Sequence, residues 1–166
     1  MIIKYTGDEK FEIKTSDAKI ILSAEGVDIE DFLIQTPGEF ERRSVFVQGI
    51  PLGEGQRPVY TINTEEMTLC YTNGLNQDLD EEVIKLIGDI DILFVPLGEN
   101  NSLSVKQAQK LISDIDPRIV IPMLYANIDE FKSAEGITDG EVDQLKVKKA
   151  DLPEEERKFY ILKPNS

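Results

Sequence analysis

Among the 166 residues there is no histidine at all. Histidine is the commonest metal ligand and the side chain whose ordinary pKa lies nearest neutrality, so its absence removes most zinc sites and most general-base mechanisms together. Chemistry would have to run on Asp, Glu, Lys, Tyr, Ser or the one cysteine, Cys70. Cys70 is flanked by apolar residues and reads first as a small core residue in a reducing compartment. The densest carboxylate group, Asp78, Asp80, Glu81 and Glu82, stands where a helix should begin, and acids there serve the cap and the macrodipole. Neither that group nor Thr138-Asp139-Gly140-Glu141-Val142-Asp143 has the oxygen-donor spacing of a calcium loop. Glu39 with Glu41 and Asp89 with Asp91 could do acid/base work only inside a cleft that raises one pKa, and on a strand they read as solvated pairs. Gly53-Glu54-Gly55 and Leu97-Gly98 read as turns, since neither opens a phosphate-cradling strand–loop–helix motif.

The elements that must position these residues divide into two halves. Residues 2–5, 11–14, 18–22, 27–34, 44–50, 59–63 and 67–71 are short runs with strand alternation, the last two paired across Thr64-Glu65-Glu66. From Asp78 the period changes. Asp78 with Glu81 predicts a helix start, with Leu79, Val83, Ile84 and Ile87 on one face and Gly88 as its stop. Ser104 with Gln107 predicts a capping box for a second helix carrying Val105, Ala108, Leu111 and Ile112. Buried strands are expected at residues 90–95 and 118–123, a short helix at 127–133, and strands at 142–149 and 159–162. In the stretch at 146–149 the lysines read as the wet side of an edge strand.

Composition sets further bounds. With 32 acidic and 18 basic residues the net charge is −14, which opposes approach to phosphate backbones and anionic lipid, so neither nucleic acid nor membrane is an expected partner. No apolar run is long enough to cross a bilayer, and the first residues carry no signal-peptide pattern, so the expected location is the cytoplasm. A chain this long can bury a substantial core, and it shows no linker, repeat or low-complexity segment, so one domain over residues 1–166 is the expectation.

Three stretches, taken in order, resemble the metallo-β-lactamase superfamily, and specifically a small branch similar to ascorbate-6-phosphate lactonases. The first is Thr36-Pro37-Gly38-Glu39-Phe40-Glu41 with Val47-Gln48-Gly49-Ile50-Pro51. The second is Met67-Thr68-Leu69-Cys70-Tyr71-Thr72-Asn73-Gly74 with Gly88-Asp89-Ile90-Asp91-Ile92-Leu93-Phe94-Val95-Pro96-Leu97-Gly98. The third is Asp116-Pro117-Arg118-Ile119-Val120-Ile121-Pro122-Met123-Leu124-Tyr125, with Leu152-Pro153-Glu154-Glu155 near the end. The resemblance implies an α/β fold, the four-layer αββα sandwich, here shortened by loss of the segment that carries the metal loop.

It also implies a metal centre whose bound water supplies hydroxide, and this chain departs from that pattern at each ligand position. The His-x-His-x-Asp-His loop has no counterpart, because only about ten residues separate Leu22 from Phe32. Where relatives read Cys-His-Leu-Gly-Asp, this chain reads Cys70-Tyr71-Thr72-Asn73-Gly74; where they read Pro-Met-His-Tyr it reads Pro122-Met123-Leu124-Tyr125; an early Gly-His is Gly7-Asp8. The vestigial cleft is thus expected at Asp8, Tyr71, Asn73, Gly74 and Leu124, with no catalytic residue, no metal and no cofactor. The expectation that follows is a pseudoenzyme: a non-catalytic binding, scaffold or oligomer subunit whose partner is another protein or a second copy of itself. The alternatives are a divergent hydrolase with rebuilt metal-free chemistry in that cleft, using Asp8, Cys70, Tyr71 and Asn73, or an inactive partner subunit of an active metal-dependent hydrolase.

Overall fold

Alternation of apolar and polar side chains turns the N-terminal residues into an antiparallel meander, since a strand presents successive side chains to opposite faces. The computed structural model describes residues 1–98 and 102–165. In it β1 (Ile2–Gly7), β2 (Lys10–Lys14), β3 (Lys19–Ser23), β4 (Gly26–Ile29) and β5 (Phe32–Ile34) follow one another, and β12 (Leu145–Lys146) adds to the free edge of β1. Ile3, Tyr5, Phe11, Ile13, Ile20 and Leu22 are buried on one face.

That face packs on a second sheet of seven strands. β6 (Gly38–Arg42), β7 (Val45–Ile50), β8 (Val59–Thr64) and β9 (Met67–Tyr71) form it by consecutive hairpin pairing; β10 (Ile92–Pro96), β11 (Ile119–Met123) and β13 (Lys158–Phe159) extend it in parallel. Every residue of β10 and β11 is buried, as expected of parallel strands covered on both faces. Leu69, Tyr71, Ile92, Phe94, Ile119 and Ile121 point into the core between the sheets. Their alternates Cys70, Leu93, Val95 and Val120 point the other way, into a core shared with α1 (Glu81–Ile87), α2 (Val105–Ile115) and α3 (Asp129–Glu135). The two-sheet centre, the helical cover and the mixed α/β class agree with the sequence expectation. All three helices lie over the seven-stranded sheet, and none of the described residues forms a helix over the six-stranded one.

Local chemistry explains where element boundaries differ from the sequence reading. Residues 27–34 are two strands, not one segment: Glu30 and Asp31 adopt left-handed backbone (φ 49° and 66°) in a tight turn, where Asp28 accepts from the Asp31 N–H at 3.0 Å. The same two-residue turn without glycine recurs at Arg43-Ser44 and at Glu65-Glu66, which shortens the expected three-residue link before β9. Helix α1 is capped by Asp80 instead of Asp78, its carboxylate accepting from the Val83 N–H at 3.0 Å. Ser104 and Gln107 form the expected capping box of α2. Helix α3 starts and ends two residues later than expected, stopping at Gly136 in left-handed conformation. Of residues 142–149 only Leu145–Lys146 form a strand, on Ile2 and Ile3 of β1, while Val142 makes an isolated bridge to Leu162. No helix among the described residues is long and apolar enough to cross a membrane.

Two sets of bonds fasten the sheets together at their ends. On one side Arg42 donates from Nε to the Ile29 carbonyl and from Nη2 to the Glu30 carbonyl, both at 2.9 Å, with its guanidinium 5.8 Å above the Phe32 ring. On the other, the turn between β1 and β2 meets the carboxyl ends of β9 and β11. There the Tyr71 hydroxyl donates to the Glu9 carbonyl, and the Leu124 N–H donates to the Asp8 carbonyl at 2.9 Å.

Two stability outcomes follow. Replacing Ser44, which holds φ 61°, by glycine removes a left-handed penalty and is expected to raise unfolding free energy by roughly 0.5–1 kcal/mol, read as a higher urea midpoint. Tyr71→Phe deprives a buried carbonyl of its donor and is expected to cost about 1–3 kcal/mol by the same measurement.

Candidate functional site

The carboxyl ends of parallel strands leave their following loops at one edge of the sheet, which is where open α/β sheets gather ligand-binding groups. Here β9 delivers Tyr71, Thr72, Asn73 and Gly74, and β11 delivers Leu124. The turn between β1 and β2, carrying Asp8 and Glu9, comes to the same edge from the opposite sheet. The loop between β7 and β8 adds Arg57.

Thr72 is fixed first: fully buried, its hydroxyl donates to the Phe94 carbonyl at 2.7 Å and so sets the path of the chain leaving β9. Asn73, 2% exposed, donates from its amide nitrogen to the Ala24 carbonyl at 3.2 Å, which turns its Oδ1 inward. Arg57 Nη1 donates to that oxygen at 2.7 Å and to Glu9 Oε1 at 2.9 Å. The Glu9 side chain is 11% exposed, whereas Arg57 is 48% exposed, so the pair consists of a sheltered carboxylate and a guanidinium that reaches solvent. Taking a carboxylate out of water is costly unless charge and hydrogen bonds compensate, and Arg57 supplies both.

The five residues expected in the cleft do come together here, in different capacities. The Asp8 carbonyl accepts from the Tyr5 hydroxyl at 2.6 Å and from the Leu124 N–H, while the Asp8 side chain is exposed. Tyr71 is fully buried, and its phenol pKa is raised above the ordinary value by burial and then by the neighbouring Glu9 carboxylate, so it acts as a neutral donor. Tyr5 is raised likewise, chiefly by burial. Leu124 holds a left-handed backbone, φ 62°, which is uncommon for a residue of its type. Gly74, φ 72°, leaves room for Arg57: a Cβ there would stand 2.9 Å from Arg57 Cδ and 3.1 Å from Nη1.

Cys70 does not join the group. It lies on the opposite face of β9 in the helix-side core, and burial pushes its thiol pKa far above the usual range. Glu9 and Arg57 were not singled out in the sequence. The partners are 48 residues apart, and Arg57 follows a glycine-rich loop that reads as a turn; a lone arginine there in so acidic a chain is the one hint it offers. The open groove of about 720 Å³ between residues 135–142 and 156–160 touches none of these side chains.

The metal centre implied by the family resemblance does not fit the residues present. Imidazole is absent from the whole sequence, and among the described residues no three carboxylate or thiolate side chains approach a common point. The single sheltered carboxylate, Glu9, is engaged by a guanidinium, and the space beside Gly74 that a bridging aspartate would need is filled by Arg57.

Comparison with other proteins places this geometry in context. A metal-dependent hydrolase of Staphylococcus carnosus is 32% identical over 124 residues, 67% of this chain and 48% of that protein. One from Carboxydothermus hydrogenoformans is 33% identical over 72 residues, 39% of this chain and 32% of its own. The matches thus span about half or less of these curated relatives. Among solved structures, a metallo-β-lactamase superfamily protein of Thermotoga maritima superposes with a TM-score of 0.81, covering 97% of each chain at 19% identity. A metallo hydrolase of Ignicoccus hospitalis gives 0.62 over 89% of this chain and 99% of its own, at 14% identity. At those identities the structures speak for the fold alone. The curated relatives overturn the expectation of a non-catalytic scaffold or pseudoenzyme, because the proteins that resemble this chain in sequence are named hydrolases. The absence of histidine from a sequence does not by itself imply the absence of activity. Residues 8–124 match the beta-lactamase superfamily domain, and the chain belongs to that superfamily.

Proposed function

We propose that this chain is a hydrolase whose reaction cleft is the Glu9–Arg57–Asn73 cluster, and that it works there without the metal ligands of its relatives. The observation that carries the reading is the sheltered Glu9 carboxylate, held at 2.9 Å by Arg57 Nη1, which also donates to Asn73 Oδ1 at 2.7 Å. The curated relatives, named metal-dependent hydrolases, support hydrolysis as the reaction class.

In this reading each side chain does what its geometry allows. Glu9 Oε2 makes no hydrogen bond among the described residues, and the carboxylate is not wholly buried, so this oxygen can accept a proton from a water molecule. The water oxygen bonds to the acyl or phosphoryl centre as that proton leaves. Arg57, whose charge is permanent, faces the negative charge that grows on the substrate oxygen. The proton then passes from Glu9 to the leaving group as its bond breaks. Asn73 and Gly74 are positioning residues, one tethering the guanidinium and the other leaving it room. The neutral phenol of Tyr71 holds the Glu9 backbone and takes no part in proton transfer.

The test is hydrolysis of p-nitrophenyl acetate, bis(p-nitrophenyl) phosphate and a chromogenic β-lactam by protein dialysed against chelator, with the Glu9→Gln and Arg57→Met variants alongside. At least one substrate is expected to turn over, with kcat/KM falling about 100-fold or more in Glu9→Gln while circular dichroism shows the fold retained. No turnover of any substrate, or turnover indifferent to Glu9→Gln, defeats the reading. Turnover that appears only on adding zinc or manganese defeats its metal-free part.

A further inference from the structure

Resting on that proposed reading, the geometry points to the substrate class: we infer that Arg57 recognises a two-oxygen anion, a carboxylate or phosphate group on the substrate, through its Nε and Nη2 donors. A guanidinium carries two sets of donors. Nη1 lies on the same side as Cδ, while Nε and Nη2 together form a fork whose spacing matches the two oxygens of a carboxylate or phosphate. In this chain Nη1 is fully engaged, by Glu9 Oε1 at 2.9 Å and Asn73 Oδ1 at 2.7 Å. Gly74 packs against the same guanidinium, since its missing Cβ would meet Cδ, Nη1 and Nε at 2.9, 3.1 and 3.3 Å. The opposite edge, Nε with Nη2, makes no hydrogen bond among the described residues, and the side chain is 48% exposed.

This arrangement separates anchoring from recognition. Had Arg57 existed only to neutralise Glu9, a fork-on-carboxylate pairing through Nε and Nη2 would be the stronger choice. The single-nitrogen attachment instead fixes the plane of the group and leaves the bidentate edge outward, with its conformational entropy already spent. The bulk charge of −14 opposes anions at long range, but at physiological salt charges more than about 8 Å apart are largely screened, so the contact at Arg57 decides the outcome. Glu9 is matched by the guanidinium, and Asp8 alongside is exposed to solvent, where its repulsion is weak.

The probes are inorganic phosphate and propionate, titrated into the protein while the Nε–H resonance of Arg57 is followed by nuclear magnetic resonance; its assignment comes from its disappearance in Arg57→Lys. A saturable shift with one or both probes is expected, the tighter one naming the class. Arg57→Lys keeps the charge and loses the fork, and is expected to bind about tenfold or more weakly by calorimetry; Gly74→Ala, which crowds the guanidinium, should weaken binding similarly. Absence of saturation in the wild-type protein, or equal binding by Arg57→Lys in a folded sample, overturns the inference. Binding is read without turnover, so anion capture with no hydrolysis removes the hydrolase reading and leaves this one standing. Hydrolysis of a neutral ester without anion capture does the reverse.

Discussion

A carboxylate withdrawn from water must be given a counter-charge, and the one that Glu9 receives organises this edge of the molecule. Arg57 reaches it from the loop between β7 and β8, Asn73 from the end of β9, and Glu9 itself from the opposite sheet. Two of these segments flank the paired ends of β8 and β9, where Tyr60 lies opposite Tyr71, and the third comes from the other sheet, so the cluster ties the two sheets together. The Tyr71 hydroxyl and the Leu124 N–H fix the backbone of the same turn, so the ion pair sits on a frame already closed by buried hydrogen bonds.

The two cores make that frame rigid. Because β9, β10 and β11 are buried on both faces, a one-residue slip in any of them would exchange the inter-sheet set, Tyr71 and Phe94 among it, for the helix-side set of Cys70, Leu93 and Val95. Volume and shape differ between those sets, since Tyr71 and Phe94 are aromatic and their alternates are not: Phe11 meets Phe94 with centroids 4.7 Å apart, and Phe94 meets Tyr71 at 6.0 Å. Register is therefore well determined, and with it the point at which each strand releases its chain at this edge of the sheet. At the end of β11, Leu124 holds a left-handed backbone that leucine does not favour, imposed by the hydrogen bond of its N–H to the Asp8 carbonyl.

Function is where composition misleads. Zero histidines is a firm statement about imidazole and removes imidazole chemistry, yet it says nothing about a carboxylate and a guanidinium brought together by folding. A bound metal is one way to present positive charge to a reacting group. A guanidinium that never loses its proton is another.

From the sequence alone came the alternation of the meander, the apolar runs of β10 and β11, the Ser104 capping box and the Gly88 stop, because these depend on neighbours within a few residues. The motif likeness also located Asp8, Tyr71, Asn73, Gly74 and Leu124 in one region. Glu9 and Arg57 stayed hidden: they stand 48 residues apart, and nothing local marks a loop arginine as the partner of a turn glutamate. The glycine-free turns at Glu30-Asp31, Arg43-Ser44 and Glu65-Glu66 were illegible for a related reason, since pairing of the flanking strands imposes left-handed backbone on residues that would not choose it. Short-range pattern determined the elements and their faces; only tertiary closure decided which charges meet, because burial, not sequence proximity, makes a carboxylate require a partner.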